Sequence, residues 1–465
     1  MDVLLLTSVD PSSYQIIPDL GLMYLASALR DTGYDVSILD CRREGLDYDD
    51  LADRLEAMKP GIVGIKSYSN EAGRVARMAS VARKVLPESV IVIGGPHPSL
   101  DPIGCLESMK DVDYAFLGES ERSLPGFVEW IKSGGSNGPP STVKGIAYRG
   151  PEEITVREPE FSEDLSDLPV PAWDLMPPDT YPDEAAGIFV PGFPAAPIML
   201  SRGCPFRCSY CGGRYIMGGR LRYRPVESIM EEIDLLQSKY GVKTFTFVDD
   251  SFTCNHEKAI EVFEALAARS RKIHFTFPNG IRVDSLDLRM LDAMERAGCY
   301  SLALGIESGS DETLERMKKK QSTGLIRAKV KLIRQNSGIK VTGFFILGYP
   351  GETIEEVKGT IRFAVELPIH HAHFCLFIPI PGTPVFDELT AEGCLSGRAC
   401  DPEDLTIDRA SLELPGLPPR KLLRLHQYAY LRFYLTPWRT AHLLSQIKSL
   451  DHLKVILRRF RKLWS

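Results

Sequence analysis

The residue types able to do chemistry concentrate in Ser201-Arg202-Gly203-Cys204-Pro205-Phe206-Arg207-Cys208-Ser209-Tyr210-Cys211, directly after the apolar run Ile198-Met199-Leu200. The spacing is C-x3-C-x2-C, and a short strand ending in a Gly-marked loop would present all three sulfurs on one concave turn. Clustered thiolates are soft ligands suited to zinc or to an iron–sulfur centre. A structural zinc site closes with a fourth ligand, commonly from a second Cys/His pair. Here the next candidates are Cys254 and His256, over forty residues on. Three ligands near one metal centre therefore leave a position open.

At these residues the sequence resembles the radical S-adenosylmethionine (SAM) enzymes. The resemblance implies that Cys204, Cys208 and Cys211 ligate three irons of a [4Fe-4S] cluster, with the fourth iron left for the amino and carboxylate groups of SAM. It also implies that Tyr210 is the aromatic residue usual before the third Cys.

The rest of the chain must position that loop. Its 465 residues suggest about three domains at ~150 residues each. An apolar share of 44% and a charged share of 25% describe an ordinary globular protein. A net charge of -7 argues against nucleic-acid binding by electrostatics. Ten Cys over this length are no disulfide framework, and the clustered three need a reducing compartment. With no basic-led signal peptide and no long apolar run, the expected location is cytoplasmic.

Residues 1–135 alternate strand candidates (Val3–Thr7, Asp35–Leu39, Ile62–Lys66, Val90–Ile93, Tyr114–Leu117) with amphipathic helical patterns. This predicts a doubly wound, Rossmann-like parallel sheet with flavodoxin-like order, whose ligands bind beyond the carboxyl ends of the strands. The loops there are residues 8–21, Lys66-Ser67-Tyr68-Ser69, Gly94-Gly95-Pro96-His97-Pro98-Ser99 and Gly118-Glu119-Ser120-Glu121. They are small, Gly-rich or hydroxylated, as close backbone approach by a large cofactor requires. Pro18–Ala26, Gly94–His97 and Leu117–Glu121 look like the N-terminal domain of cobalamin-binding radical SAM enzymes. That resemblance implies cobalamin contacts from Ser67, Gly94, Gly95, His97, Gly118 and Glu119. The D-x-H-x-x-G signature that places an axial His on cobalt elsewhere is absent; His97 could face the corrin or bond loop backbone.

Residues 136–195 change character. Gly134–Pro140 reads as a flexible boundary, and Val143–Tyr148 with Ile154–Arg157 as a hairpin. Eight prolines between Leu168 and Pro197 predict an extended surface linker between two domains.

Residues 196–386 repeat strand then helix. The predicted strands are Ile198–Leu200, Thr244–Val248, Ile273–Phe277, Ser301–Ile306, Lys340–Leu347 and His373–Ile378, which suits a partial (β/α)6 TIM-type barrel. Chemistry in such barrels collects on the loops after the strands. The resemblance assigns Asp249 and Asp250 to the SAM amino group, replacing the usual Gly-Gly-Glu. It assigns Arg282 to the SAM carboxylate, Glu307 and Ser308 to the ribose, and Gly343 to Gly348, Leu347 included, to the adenine. His370, His371 and His373 begin the last strand, away from that rim, and read as structural.

Residues 387–465 carry helical apolar stripes, among them Leu422, Leu425 and Leu431. From Arg420 onward eleven Lys/Arg face one acid, a net +10. A basic amphipathic tail can touch an anionic membrane surface peripherally; more often its stripe packs on its own domain.

The function expected is that of a cobalamin-dependent radical SAM enzyme of class B methyltransferase type. It would methylate an unreactive carbon of a small-molecule substrate and draw on a reductant such as flavodoxin or ferredoxin. The alternatives are an oxidative cyclase or rearrangement resembling the anaerobic Mg-protoporphyrin monomethyl ester cyclases, and a non-catalytic cobalamin or redox sensor.

Overall fold

Short β-branched and aliphatic runs, each too short to be useful helices, pair into two parallel sheets in the computed structural model, which describes residues 1–10, 16–135, 138–183, 190–395 and 416–447. The first sheet contains β1 (Val3–Leu6), β2 (Val36–Leu39), β3 (Ile62–Lys66), β4 (Val90–Gly94) and β5 (Tyr114–Phe116). They run parallel in the order β2-β1-β3-β4-β5, the flavodoxin-like order expected. Asp19 starts the first long helix (Leu20–Asp31) by accepting from the Leu22 amide, and its other oxygen takes Lys66 Nζ at 2.6 Å.

The hairpin expected within residues 136–195 is present. Its strands β6 (Ile146–Arg149) and β7 (Ile154–Arg157) add antiparallel to the edge of this sheet, with Tyr114 opposite Tyr148. An unpaired β5 would leave a row of backbone groups exposed, and the hairpin satisfies them. The Pro-rich stretch is likewise held rather than loose. Trp173 is fully buried and donates to Glu232, and the Ala172 amide donates to Met23 O at 3.2 Å. Residues 136–137 and 184–189 of this region, like residues 11–15 of the first loop, lie outside the described residues.

The second sheet has the order β15-β14-β13-β12-β11-β8, all parallel. Its strands are β8 (Ala195–Ile198), β11 (Thr244–Phe247), β12 (His274–Ile281), β13 (Cys299–Glu307), β14 (Lys340–Leu347) and β15 (His371–Leu376). Between β8 and β11 a two-stranded ribbon, β9 (Ser201–Arg202) with β10 (Arg222–Tyr223), brackets the cysteine loop. The first barrel strand thus ends before Met199-Leu200, because the Leu200 and Ser201 amides donate to Asp249 rather than to a neighbouring strand.

Among the described residues β8 and β15 do not pair, so the barrel is open. The tail helix Pro419–Tyr434 covers the β15 edge: Tyr430 and Tyr434 hydroxyls accept from the Phe374 and Ala372 amides, and His426 Nε2 donates to Phe374 O at 2.7 Å. Leu422 and Phe433 bury their side chains there, so this stripe is spent on the chain's own barrel. Residues 396–415 and 448–465, with six of the eleven basic residues of the tail, lie outside the described residues. One apolar core runs from Leu5 and Met23 through Trp173 to Phe245 and Leu302, joining the two sheets.

Candidate functional site

Gly203 opens the cysteine loop at φ +95, where a Cβ would run into the Arg220 carbonyl, so the turn admits no other residue. The Cys204 amide donates to Gly218 O, and the Cys211 amide to Cys208 O at 3.3 Å. Cys204 Sγ is 3.0 Å from Ser251 Oγ, and the Gly213 amide donates to Cys211 Sγ at 3.4 Å. Ser209 is buried; its hydroxyl is 2.8 Å from that of Tyr349, and its amide donates to Met317 O. Burial pushes the Cys208 thiol above its usual pKa, opposed by the Lys319 and Arg282 charges. Among the described residues no three Cys, His, Asp or Glu side chains close around a single ion.

Over this loop stand the barrel's rim residues, which the structure sorts. Asp249 is buried and accepts from the Leu200 amide, the Ser201 amide and the Ser201 hydroxyl. Burial pushes its carboxyl up to about 7. Its Oδ1 braces the loop's entry, while its Oδ2 shares only the Leu200 amide at 3.2 Å; Asp250 is the exposed one of the pair, beside Cys211 across Gly213. Arg282 lies over the Phe206 ring at 3.8 Å and donates to Asp284 and to Lys319 O.

Glu307 ends β13 at φ +67, an uncommon backbone conformation for a glutamate, and pairs with buried Lys319 at 2.7 Å. Lys319 Nζ also reaches the Tyr210 hydroxyl at 3.5 Å. Lys319 carries no motif; its one signal in the sequence is the unusual run Lys318-Lys319-Lys320. Ser308, by contrast, turns away from the rim and bonds Thr360 Oγ1 and the Ser310 amide. Gly343 and Leu347 alternate onto the buried helix-facing side of β14, where a Gly343 Cβ would lie 2.8 Å from Ile369. The half-buried opposite face is Thr342, Phe344 and Ile346. Gly348 sits at φ +80, where a Cβ would lie 2.5 Å from Leu422 of the tail helix.

The N-terminal loops converge on the same loop from outside the barrel. Ser8 Oγ, Ser67 Oγ and His97 Nδ1 are buried without a hydrogen-bond partner at the carboxyl ends of β1, β3 and β4. Orphaned polar groups at this topological switch point suit a ligand rich in amides, as cobalamin is through the side chains of its corrin ring. Gly95 is at φ +101 with a Cβ position 3.2 Å from Ser67 O, and Gly94 would meet only Phe116 Cβ at 3.7 Å. Burial holds the His97 ring below its usual pKa, and the His97 amide donates to Ser67 O.

Gly118 is pinned under Pro159, and Glu119 is engaged by arginines. Its carboxylate takes both Nη atoms of Arg222, and the Ser162 amide donates to it. Arg202 adds contacts to Glu119 at 3.7 Å and to Glu121 at 2.5 Å. All four side chains are nearly buried. Glu119 therefore joins the first sheet to the ribbon that carries the cysteines. The contacts its carboxylate makes here are structural ones.

The sequence matches the Radical SAM superfamily over residues 198–364 and the B12 binding domain over residues 9–128. It is 31% identical to an uncharacterized methyltransferase of Pyrococcus horikoshii over 90% of this chain and 88% of that one. It is 30% identical to a cytidylyl-2-hydroxyethylphosphonate methyltransferase of Streptomyces wedmorensis over 86% of this chain and 82% of that one. The fold resembles the radical SAM methyltransferase TsrM of Kitasatospora setae, solved with cobalamin and a [4Fe-4S] cluster, at TM-score 0.70 and 20% identity, covering 84% of this chain and 78% of that one. With a thiol loop, an orphan-lined switch point and these matches in one chain, the protein belongs to the cobalamin-dependent radical SAM methyltransferase family.

Proposed function

We propose that this chain methylates an unactivated carbon of a small molecule. The observation that supports it is the buried Glu119/Glu121–Arg202/Arg222 network, which holds the cobalamin-side loops against the cluster loop so that both cofactors would serve one opening. When bound, the cluster with SAM supplies a hydrogen-abstracting radical, and cobalamin supplies the methyl group.

Cys204, Cys208 and Cys211 would hold the cluster by their sulfurs. Asp250 presents a carboxylate at its rim, suited to the amine of SAM; Arg282, now held by Asp284 and Lys319 O, would meet the SAM carboxylate by exchanging one of those contacts. Glu307, fixed by Lys319, would accept from ribose hydroxyls. Contacts to an adenine from Gly343 and Leu347 would run through backbone, with Phe344 and Ile346 offering side chains. Ser67, Gly94, Gly95 and His97 would line the corrin, together with Ser8. The barrel's inward Thr246, Thr276 and Thr342 leave small polar walls around the reacting carbon.

The cobalamin-binding part would comprise residues 1–135 with the added hairpin, and the barrel residues 196–386. Among the described residues no helix is long and apolar enough to cross a membrane. A reducing interior such as the cytoplasm suits three free ligand thiols. The substrate of the phosphonate-methylating relative is one candidate class.

The test uses methyl-labelled SAM with the reduced, reconstituted enzyme and host metabolite extract. Label in an organic product, with S-adenosylhomocysteine and 5′-deoxyadenosine in about equal amounts, is expected, because methyl supply and radical supply each consume one SAM. Deoxyadenosine with an unlabelled, oxidised product would replace methyl transfer by the cyclase reading. No SAM cleavage at all would favour a sensor.

A further inference from the structure

Two sides of the cysteine loop differ in charge. Arg207, between two of the three thiols, is exposed, as is Pro205. Exposed Lys318 and Lys320 flank buried Lys319 in a turn that lies against the same loop. Met317 O accepts from the Ser209 amide, and Lys319 O accepts from Arg282, whose guanidinium stacks on Phe206. The turn therefore touches the loop directly after Arg207, at Ser209, and reaches Phe206 before it through Arg282.

The other cations here are spent: Arg282 on Asp284, Lys319 on Glu307, Arg316 on Glu356. Among the described residues Arg207, Lys318 and Lys320 have no carboxylate within 4.0 Å. Lys318 and Lys320 are held at φ 53 and 55, where a lysine is strained, so the turn's shape is imposed by its contacts rather than by preference. Even counting exposed Glu315, this rim stays positive on a chain of net charge -7.

We propose that Arg207, Lys318 and Lys320 form the docking surface on which an acidic, flavodoxin-type carrier reduces the cluster. The inference rests on the reading of Cys204, Cys208 and Cys211 as cluster ligands. A carrier seated here is separated from the cluster by the thickness of one loop. An acidic partner is repelled by the chain as a whole, so a local cationic rim must capture and orient it. Exposed Pro205 gives the rim an apolar centre, matching the apolar ring edge that a flavin carrier presents. One electron leaves the carrier's anionic reduced flavin and enters the cluster, taking it from 2+ to 1+. No bond forms or breaks and no proton moves.

The experiment follows cluster reduction by stopped flow in the full-length reconstituted protein, with flavodoxin hydroquinone and separately with titanium(III) citrate. Raising salt from about 20 mM to about 500 mM should slow reduction by flavodoxin at least tenfold. The variant Arg207→Glu/Lys318→Glu/Lys320→Glu should lose at least tenfold at low salt and speed up as salt is raised, because salt screens the repulsion it introduces. Its iron content and its reduction by titanium(III) should match the wild type.

A milder variant, Arg207→Gln/Lys318→Asn/Lys320→Asn, places Asn at the two positive-φ sites, which Asn tolerates, and should show a smaller loss. Wild-type rates with flavodoxin in either iron-replete variant overturn the proposal. Dependence on the three cations with a ferredoxin but not with flavodoxin overturns the choice of carrier. Wild-type protein that retains no iron sinks the cluster reading and this inference with it.

Discussion

Arg222 grips Glu119 at two points, Nη2 to Oε1 at 2.7 Å and Nη1 to Oε2 at 3.0 Å, across the join between the cobalamin-side sheet and the ribbon that brackets the cysteines. Both side chains are under a tenth exposed. Removing one partner of such a pair strands a buried charge, at a cost of about 3–5 kcal/mol. Glu119→Gln should therefore lower the urea midpoint by that equivalent, whereas an exposed pair such as Arg122–Asp167 should give under about 1 kcal/mol on Asp167→Asn. Equal, small effects from both variants would show that the join does not depend on this carboxylate.

Changing Cys204, Cys208 or Cys211 to Ala should cost the anaerobically reconstituted protein its complement of about four irons per chain and abolish SAM cleavage. Cys299 and Cys375, in β13 and β15, should tolerate Ala with iron retained. Cys254 is the sharper control. Its amide donates to Ser251 O, and Ser251 touches Cys204, so it stands much nearer the loop than forty residues of sequence suggest. Iron retained in Cys254→Ala confines the ligand set to three; one zinc per chain in the wild type would remove the radical assignment.

The two adjacent glycines of the β4 loop should behave differently. At Gly95 any side chain meets Ser67 O in a glycine-only backbone region, so Gly95→Val should weaken hydroxocobalamin binding at least tenfold, about 1.4 kcal/mol. Gly94→Ala meets only ordinary contact with Phe116 and should bind nearly as the wild type does. Absorbance titration of the full chain distinguishes them. Unchanged binding in Gly95→Val would move the corrin elsewhere.

Glu352 makes stability fall with pH. Its Oε2 accepts from the Gly348 and Tyr349 amides, its Oε1 is buried without a partner, and burial pushes its carboxyl from 4.5 up to about 7. Below pH 4.5 the folded and unfolded chains both carry the proton. Between 4.5 and about 7 only the folded chain keeps it, so stability declines as pH rises and levels off above 7. The loss is on the order of 3 kcal/mol. Glu352→Gln should remove that slope, seen as a smaller drop in Tm between pH 5 and pH 7.5. A parallel drop in both proteins would assign the slope to other groups.

Local pattern in the sequence determined the elements and their order. Alternating apolar runs and amphipathic segments are enough to specify two parallel sheets, because each strand's burial and each helix's stripe repeat within a few residues. The cysteine loop was equally legible, since three thiols within eight residues need no tertiary partner to be recognised.

What only the tertiary structure decided is the use of individual polar side chains. Asp249 and Asp250 are neighbours of one type, yet alternation along the chain buries the first against the Leu200 and Ser201 amides and leaves the second exposed. Glu119 sits in a cofactor-like loop, but two arginines about a hundred residues away claim its charge. Lys319 has no motif and becomes the buried partner of Glu307. The hairpin was visible as a hairpin, though its place on the edge of the first sheet depends on unpaired backbone groups of β5. A carboxylate's role follows from which distant donors reach it when the sheets pack, and that is a property of the packed sheets rather than of its neighbours in the chain.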